Sequence, residues 1–443
     1  MKNSAKKMAQ VVEELYARKP EHQIRPRLEP TRLAAELMGN PQHTYPVIHI
    51  TGTNGKTSVA RMIERILREM GLRTGRLTSP HLISFNERIS LDGEPVADER
   101  FIEVYEDNKP ILDLVDQRLA EQGEAPLTFF EAFTALAFQL FADTPVDVLV
   151  LEVGIGGEWD ATNVADGDVA VFTSIDLDHT KTLGETVEEI AMTKAGIIKE
   201  KSIVVSNGQA ESVAEILRQR ATQPALFFGE NFSVESTRPE NFGVRFTVRG
   251  IAAEYPDLWM PVMGEHQAEN AATAIAAVEL FLGGRPLADE ILRSAMADVV
   301  SPGRLQVLSR EPLVVLDGAH NPAGIRSLGK SVDWQFGAPK RIALVAMVAD
   351  KDLSAAAYEL NQIFDDFVVT QIDGPRSYAA DLLARDLEAQ GGRILAIEPS
   401  IGKAFQSASK LAEESGAALF IAGSLFLAGT ILGQMQEGED GEG

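Results

Sequence analysis

The chain has 443 residues, more than one hydrophobic core usually serves, so two domains are expected. A formal net charge of −24 argues against nucleic-acid binding and requires any anionic ligand to be met by local loops, Mg²⁺ and particular Lys and Arg residues. The absence of Cys excludes disulfide frameworks, thiolate metal sites and a Cys nucleophile, and no apolar run reaches the roughly 18 residues of a membrane span.

The basic start, Lys2 to Lys7, leads into no long apolar segment, so it is not read as a secretory signal, and a cytoplasmic location is expected. Helical patterns occur near 8–18 and 30–38, which makes 1–45 a short helical lead-in. Val47-Ile48-His49-Ile50 then reads as a buried strand. A glycine-spaced turn follows, and a helix opens at Lys56 with Val59, Met62, Ile63, Ile66, Leu67 and Met70 on its apolar stripe. Strand, glycine turn and helix start form a phosphate cradle, in which backbone N–H groups and the helix N-terminus face the anion. Thr53, Asn54, Gly55, Lys56, Thr57 and Ser58 are its candidate ATP contacts, with Lys56 reaching the outer phosphates and Thr57 able to ligate Mg²⁺. The usual template places a further glycine where this chain has Ile50. The compact form Gly52-x-x-Gly55-Lys56-Thr57 narrows the field to ATP-dependent amide ligases.

Further strands are expected at 74–77, 146–151, 169–173 and 202–206, helices at 98–122, 128–142 and 186–199, hairpins within 225–261, and helices at 266–282 and 288–299. Ser301-Pro302-Gly303-Arg304 punctuates the chain as a domain boundary. Beyond it, strands at 313–316, 341–346, 367–371, 393–397 and 418–422 alternate with helices. The reading is therefore 1–300 as a first domain, 304–435 as a second, and 436–443 as a disordered acidic tail. Alternating strands and helices predict a mostly parallel sheet in each half, with ligands at the carboxyl ends of strands.

Candidate side chains fall mainly at such ends. Ser79 is open between a Mg²⁺ ligand and a simple Ser-Pro turn, and Glu152 between a metal ligand and a surface carboxylate. His179, in Asp176-Leu177-Asp178-His179, is unusual as a Mg²⁺ ligand. Lys194 differs from the solvated Lys199 and Lys201 in having the small Ala195 and Gly196 beside it. In the second half, Asn321 suits a helix N-cap and Pro322 the first helical position. Asp317 and His320 stand where ribose or phosphate would be touched. Arg304 is open between a phosphate contact and an interdomain ion pair.

Taken in order, these blocks resemble the folylpolyglutamate synthase/dihydrofolate synthase family, within the Mur-type ATP-dependent amide ligases. The resemblance runs from about Pro30 to Leu432. It is carried by Thr51 to Thr57, Ser79-Pro80-His81-Leu82, Glu87-Arg88-Ile89, Glu152 to Asn163, Leu177-Asp178-His179, Lys194 to Ile197, His266 to Ala271, Pro302-Gly303-Arg304 and Asp317 to Pro322, with weaker echoes at Asp350-Lys351-Asp352 and Ala422 to Leu425.

The resemblance implies an α/β fold. A Mur-ligase-like P-loop domain with a mostly parallel sheet is joined to a smaller Rossmann-like C-terminal glutamate-ligase domain. It implies two Mg²⁺ sites, one around Thr57, Ser79 and Glu152 and one served by Glu152, His179 and Lys194, the lysine as a carbamate. It also implies ATP as co-substrate and a monovalent cation such as K⁺ as an accessory. Asn270 then matches an adenine contact, and Arg304, Asp317 and His320 match nucleotide contacts. Thr128, Phe130, Asp160 and Ala161 match positions near the pterin, and Lys56, Lys194 and His179 are the catalytic candidates. The implied reaction joins L-glutamate to a folate or dihydropteroate carboxylate through an acyl phosphate, with no nucleic-acid or membrane partner and a monomeric enzyme.

Glu158 and Trp159 depart from the family, which often has Arg and a Leu-like residue there, and Thr57 stands where many relatives have Gly. Two alternatives remain at this point. A cell-wall Mur ligase would need a full domain before the phosphate loop, and only about fifty residues precede it. A non-ligating P-loop nucleotide-binding protein would need neither His179 nor Lys194.

Overall fold

The computed structural model describes residues 2–20, 25–336, 340–349 and 352–441. Two compact units emerge. The first comprises 1–235, 248–256 and 269–296, and the second 236–247, 257–268 and 297–443.

In the first unit, α1 (Lys2–Tyr16) and α2 (Glu29–Leu37) precede β1 (Val47–Thr51), α3 (Lys56–Glu69), β2 (Thr74–Leu77), β3 (Ile89–Leu91) and β4 (Glu94–Pro95). Then come α4 (Asp98–Glu121), α5 (Phe129–Asp143), β5 (Val148–Glu152), β6 (Val169–Phe172), α6 (Thr180–Leu183), α7 (Val187–Lys194), β7 (Ile203–Ser206), α8 (Glu211–Arg220) and β8 (Ala225–Phe227). The strands form one sheet of order β4-β3-β2-β5-β1-β6-β7-β8. β2, β5, β1, β6, β7 and β8 run parallel, and β3 and β4 add an antiparallel margin.

β1 is buried along its whole length, as a central strand covered on both faces must be. Its neighbours β5 and β6 are reached from opposite sides, so the chain reverses its winding there. The crevice beyond the carboxyl ends of β1, β5 and β6 is where an open α/β sheet receives a ligand. α5 is apolar nearly all round, and Phe129, Phe133, Phe138 and Phe141 are fully buried. Its start is fixed by a capping box, in which Thr128 Oγ1 accepts from the Glu131 N–H and the Glu131 carboxylate accepts from the Thr128 N–H.

β9 (Ser233–Glu240), β10 (Gly243–Arg249) and β11 (Glu254–Met260) make a three-stranded sheet of order β11-β10-β9, and α9 (Glu265–Phe281) and α10 (Asp289–Ala297) follow. Segments 236–247 and 257–268 group with the second unit rather than with the first 300 residues, because their side chains are built into its core. Phe242 packs on Phe336 at 6.5 Å between centroids, Met263 is buried in the second core, and His266 Nδ1 pairs with Ser331 Oγ at 3.2 Å.

The second unit contains β12 (Gln306–Arg310), β13 (Leu313–Leu316), α11 (Pro322–Phe336), β14 (Arg341–Val345), α12 (Leu353–Ile363), β15 (Asp366–Val369), α13 (Ala380–Ala389), β16 (Arg393–Ile397), α14 (Ile401–Ser415), β17 (Ala418–Ala422) and α15 (Leu425–Gly441). Its sheet has the order β12-β13-β17-β14-β15-β16, parallel except for the edge strand β12. α15 runs to Gly441, through most of the segment expected as a disordered tail. Leu432 to Glu437 contains only one glycine and no proline, and its Gln, Met and Glu residues are good helix formers. Asp350 and Lys351, one of the weaker family echoes, lie outside the described residues. No helix among the described residues is long and apolar enough to cross a membrane.

Candidate active site

The phosphate loop leaves β1 under tight constraint. Gly52 has φ 151°, and a Cβ there would run into the Thr173 side chain at the end of β6. Gly55 caps α3 in the left-handed region at φ 89°. The loop is tied to β6 by the Thr53 N–H donating to the Ser174 carbonyl (2.8 Å) and the Thr53 hydroxyl donating to the Asp176 carbonyl (2.9 Å). The residues expected to cradle phosphate thus sit at the start of a 14-residue helix, in a loop held by these bonds. Asn270 on α9 is buried against the loop, and a Cβ at Gly55 would lie 3.0 Å from its Oδ1.

Glu152 ends β5 one strand away. Thr57 Oγ1 lies 2.9 and 3.0 Å from its two carboxylate oxygens, and the Ser79 backbone N–H also donates to it. Glu152 is 1% exposed. Burial pushes its carboxyl up, and Lys56, Thr57, Ser79 and Arg76 work against that by favouring the anion. Lys56 Nζ lies over the loop, donating to the Gly52 carbonyl (3.0 Å) and the Thr53 carbonyl (3.2 Å).

Lys194, at the end of α7, is 4% exposed and donates to the same Gly52 carbonyl at 2.9 Å. Burial and the neighbouring Lys56 charge pull its ammonium down to about 7, with Asp178 and Asp160 opposing. Its small neighbours are explained by packing. A Cβ at Gly196 would collide with Glu158, and one at Gly157 would lie 2.7 Å from the Lys194 carbonyl, so the 154–158 loop and the lysine helix approach backbone to backbone.

His179 holds a left-handed conformation at φ 50°, caps α6 and meets Asp178 through its backbone N–H. The His179 N–H donates to Asp178 Oδ1 at 2.8 Å, and Asp178 in turn carries the charge that favours the Lys194 cation. Asp178 has no role of its own legible in the sequence, because only the fold brings it near Lys194.

The residues expected around the pterin are Asp160 and Ala161 of the 154–164 loop and Thr128 and Phe130 at the start of α5. Asp160 is buried and caps the 3-10 turn at Ala161–Val164, accepting from the Thr162 N–H (3.0 Å), the Thr162 hydroxyl (2.6 Å) and the Ile155 N–H (3.0 Å). Burial nevertheless holds its carboxyl above the usual range. A Cβ on Gly154 would meet the Phe130 ring at 2.8 Å and Asp160 Oδ2 at 3.1 Å, so Phe130, Gly154 and Asp160 share one small volume. Ala161 is buried, and Thr128 has its oxygen engaged in the α5 cap.

Oxygen donors on Thr57, Ser79 and Glu152 suit Mg²⁺, which binds through few protein oxygens and retains water and phosphate ligands. Among the described residues no group of three or more His, Cys, Asp and Glu converges on a cation position. Lys194 suits conversion to a carbamate, which requires a neutral amine.

In the second unit, Asp317 follows β13. Its Oδ2 accepts from the Leu305 N–H (2.9 Å) and its Oδ1 from the Ala319 N–H (2.7 Å), and Arg304 opposes the burial that raises its carboxyl. His320 donates from Nδ1 to the Gly318 carbonyl at 2.8 Å. Asn321 Oδ1 accepts from the Gly324 N–H (2.7 Å), and Pro322 opens α11, as the sequence predicts.

Residues 103–278 match the Mur ligase middle domain, and residues 303–425 match the Mur ligase, glutamate ligase domain. Fold and site together thus define a Mur-type ligase. The chain is 38% identical over 438 residues to the dihydrofolate synthase/folylpolyglutamate synthase of Mycobacterium tuberculosis, a match covering 95% of this chain and 89% of that protein. The Escherichia coli protein of the same name is 31% identical, covering 81% of each chain. The structure of Mycobacterium tuberculosis folylpolyglutamate synthase complexed with ADP and AMPPCP superposes with a TM-score of 0.91 at 36% identity, covering 96% of this chain and 97% of that one. A folylpolyglutamate synthase–AMPPCP–folate complex gives 0.83 at 30% identity, covering 97% and 99%. This chain belongs to the dihydrofolate synthase/folylpolyglutamate synthase family.

Proposed function

We propose that the protein ligates L-glutamate to the carboxylate of a folate or dihydropteroate at the expense of ATP. The relatives' names and their nucleotide- and folate-bound structures support this reading over a cell-wall ligase or a non-ligating nucleotide binder. The observation that carries it in this chain is the desolvated group at the ends of β1 and β5: Thr57 on both oxygens of buried Glu152, with Lys56 and Lys194 on the shared Gly52 carbonyl.

A carboxylate is a poor electrophile at neutral pH. Transfer of the ATP γ-phosphoryl group to it gives an acyl phosphate, and the glutamate amine then attacks the acyl carbon and releases phosphate. In phosphoryl transfer the protein chiefly positions groups and stabilises spreading charge. Lys56 and the amides of Thr53 to Ser58 meet the phosphates, and Asn270 the adenine. From the second unit, Arg304, Asp317 and His320 serve the nucleotide. Thr57, Ser79 and Glu152 would hold one Mg²⁺ and Glu152, His179 and a carbamylated Lys194 a second, and these ions would supply Lewis-acid neutralisation of phosphate charge, with K⁺ as an accessory cation. Thr128, Phe130, Asp160 and Ala161 line the pterin side, where the Thr128 O–H remains a donor although its oxygen caps α5.

The test is mass spectrometry of products from paired incubations of the full chain with ATP, Mg²⁺ and L-glutamate, one with dihydropteroate and one with tetrahydrofolate. The expected product is heavier by one glutamyl residue, with matching ADP release. No folate-dependent ADP release with either substrate would overturn the assignment.

A further inference from the structure

The central strand β1 carries two polar side chains on one face, His49 and Thr51, and both are fully buried. A strand covered on both faces ordinarily reads as aliphatic. Both side chains point their polar atoms at the same segment, the 154–164 loop that contains Asp160. Thr51 donates to the Gly156 carbonyl at 2.7 Å, and His49 Nε2 lies 3.0 Å from Thr162 Oγ1.

The direction of the second bond follows from proton counting. The Thr162 hydroxyl has a single proton, and it goes to Asp160 Oδ1 at 2.6 Å. Thr162 Oγ1 must therefore accept from His49, so the imidazole carries its proton on Nε2. Nδ1 is then a bare acceptor, and it is buried without a hydrogen-bond partner. A buried unsatisfied acceptor is unfavourable, and an aliphatic residue of similar size would avoid it. The histidine thus gives up stability at the centre of the sheet in exchange for one oriented hydrogen bond. Burial and the nearby Lys199 charge keep the ring neutral, pulling its imidazolium down to about 3, so the chain His49–Thr162–Asp160 does not reverse under ordinary conditions.

We infer that His49 is a positioning residue for the pterin-carrying substrate, acting through Thr162 to fix Asp160 and the 154–164 loop. The inference rests on the proposed function, since that reading places the pterin beside Asp160 and Phe130. It goes further in assigning substrate affinity to a side chain that touches no substrate.

The experiment compares His49→Leu, His49→Gln, Thr162→Val and Thr162→Ser with the wild-type chain. Each is measured for KM of the pterin substrate, KM of ATP, kcat and melting temperature. Removing the donor in His49→Leu should raise the pterin KM about tenfold and leave the ATP KM within about twofold. Its melting temperature should hold or rise, because the orphan acceptor goes too. His49→Gln keeps an N–H donor and Thr162→Ser keeps the relay hydroxyl, so both should stay near wild type, while Thr162→Val should follow His49→Leu. A purely structural role would lower the melting temperature of His49→Leu and move both KM values together, and that result, or an unmoved pterin KM, overturns the inference.

Nitrogen-15 NMR of the wild-type histidines is independent of turnover. The inference requires one ring with its proton on Nε2 and no titration between about pH 5 and 8, and an Nδ1–H or titrating His49 rejects it. A wild-type chain inactive with every pterin substrate would instead remove the proposed function, which keeps the two failures distinct.

Discussion

The molecule places polar side chains beyond the carboxyl ends of two parallel sheets, and the two ends are built differently. In the second unit the contacts are local. Asp317 bonds to Leu305 and Ala319, His320 to Gly318, and Asn321 to Gly324. In the first unit they join distant parts of the chain. Thr57 meets Glu152, Lys194 meets Gly52, and Thr53 meets Ser174 and Asp176. The local end satisfies its own carboxylate with backbone N–H groups. The long-range end brings Lys56, Lys194 and Glu152 together from three parts of the chain, and burial pushes Lys194 and Glu152 away from their charged forms, as it does Asp317 at the local end. Desolvated charge that only the completed fold can assemble is the environment in which electrostatic catalysis is strongest. Under the proposed function the first end is the chemical centre and the second a nucleotide handle.

The sharpest way to break this contrast is Lys56→Ala. If Lys56 stabilises the transferring phosphoryl group, kcat should fall by about a thousandfold or more, with the fold retained by circular dichroism. Steady-state ADP release checks this, and a loss under about tenfold would remove Lys56 from the chemistry. Lys194→Ala should follow with a loss of about a hundredfold or more. It should also abolish incorporation of carbon-13 bicarbonate, read by NMR as a carbamate signal in the wild type.

That signal has a pH dependence with a definite sign. Only the neutral amine reacts with CO₂, and Lys194 loses its proton near 7, so carbamate occupancy should rise as the pH passes through about 7. Stability should move the same way. Between about 7 and the ordinary lysine range the unfolded chain holds a proton that the folded chain has released, so stability rises with pH there, and Lys194→Met should flatten that slope in melting curves.

Asp317→Asn probes the local end and should act more gently. The amide can accept one of the two N–H donors but turns its NH₂ on the other, which costs about 1–3 kcal/mol of stability. The ATP KM should rise about tenfold while kcat changes less. A kcat collapse matching that of Lys56→Ala would erase the distinction between the two ends.

The same distinction decides what the sequence reveals. The phosphate loop, the β13 strand end and the Asn321-Pro322 cap were all legible, because their chemistry lies within a few consecutive residues. So were most of the parallel strands and the helices between them, but not α8 or the parallel edge strand β8, which fell in the segment read as hairpins. The short antiparallel strands β3, β4 and β12 were not, because runs of two to five residues at a sheet edge carry little periodicity. Glu152, His179 and Lys194 were only candidates until the family resemblance grouped them. Nothing local says that Lys194 reaches the Gly52 carbonyl or that Asp178 faces it. Segments 236–247 and 257–268 joined the second unit for the same kind of reason, since Phe242 and Met263 find their core far along the chain. His49 read as one letter in an apolar strand, and only the placement of Thr162 gives it a partner.

The finest test of where local structure ends and substrate recognition begins lies at Thr128. Its oxygen caps α5 by accepting from the Glu131 N–H at 3.3 Å, and the Glu131 carboxylate is held by Arg27 through two bonds of 2.9 Å. Thr128→Ala should lose about 1 kcal/mol of stability as an N-cap deletion. If the hydroxyl proton also serves the pterin beside Phe130, the same change should raise the pterin KM about threefold and leave the ATP KM alone. Thr128→Ser should restore both, because it keeps the capping oxygen and the O–H. Chemical denaturation together with pterin-dependent kinetics separates the two roles. A stability loss with an unmoved pterin KM would make Thr128 a cap alone and leave Phe130, Asp160 and Ala161 to hold the pterin.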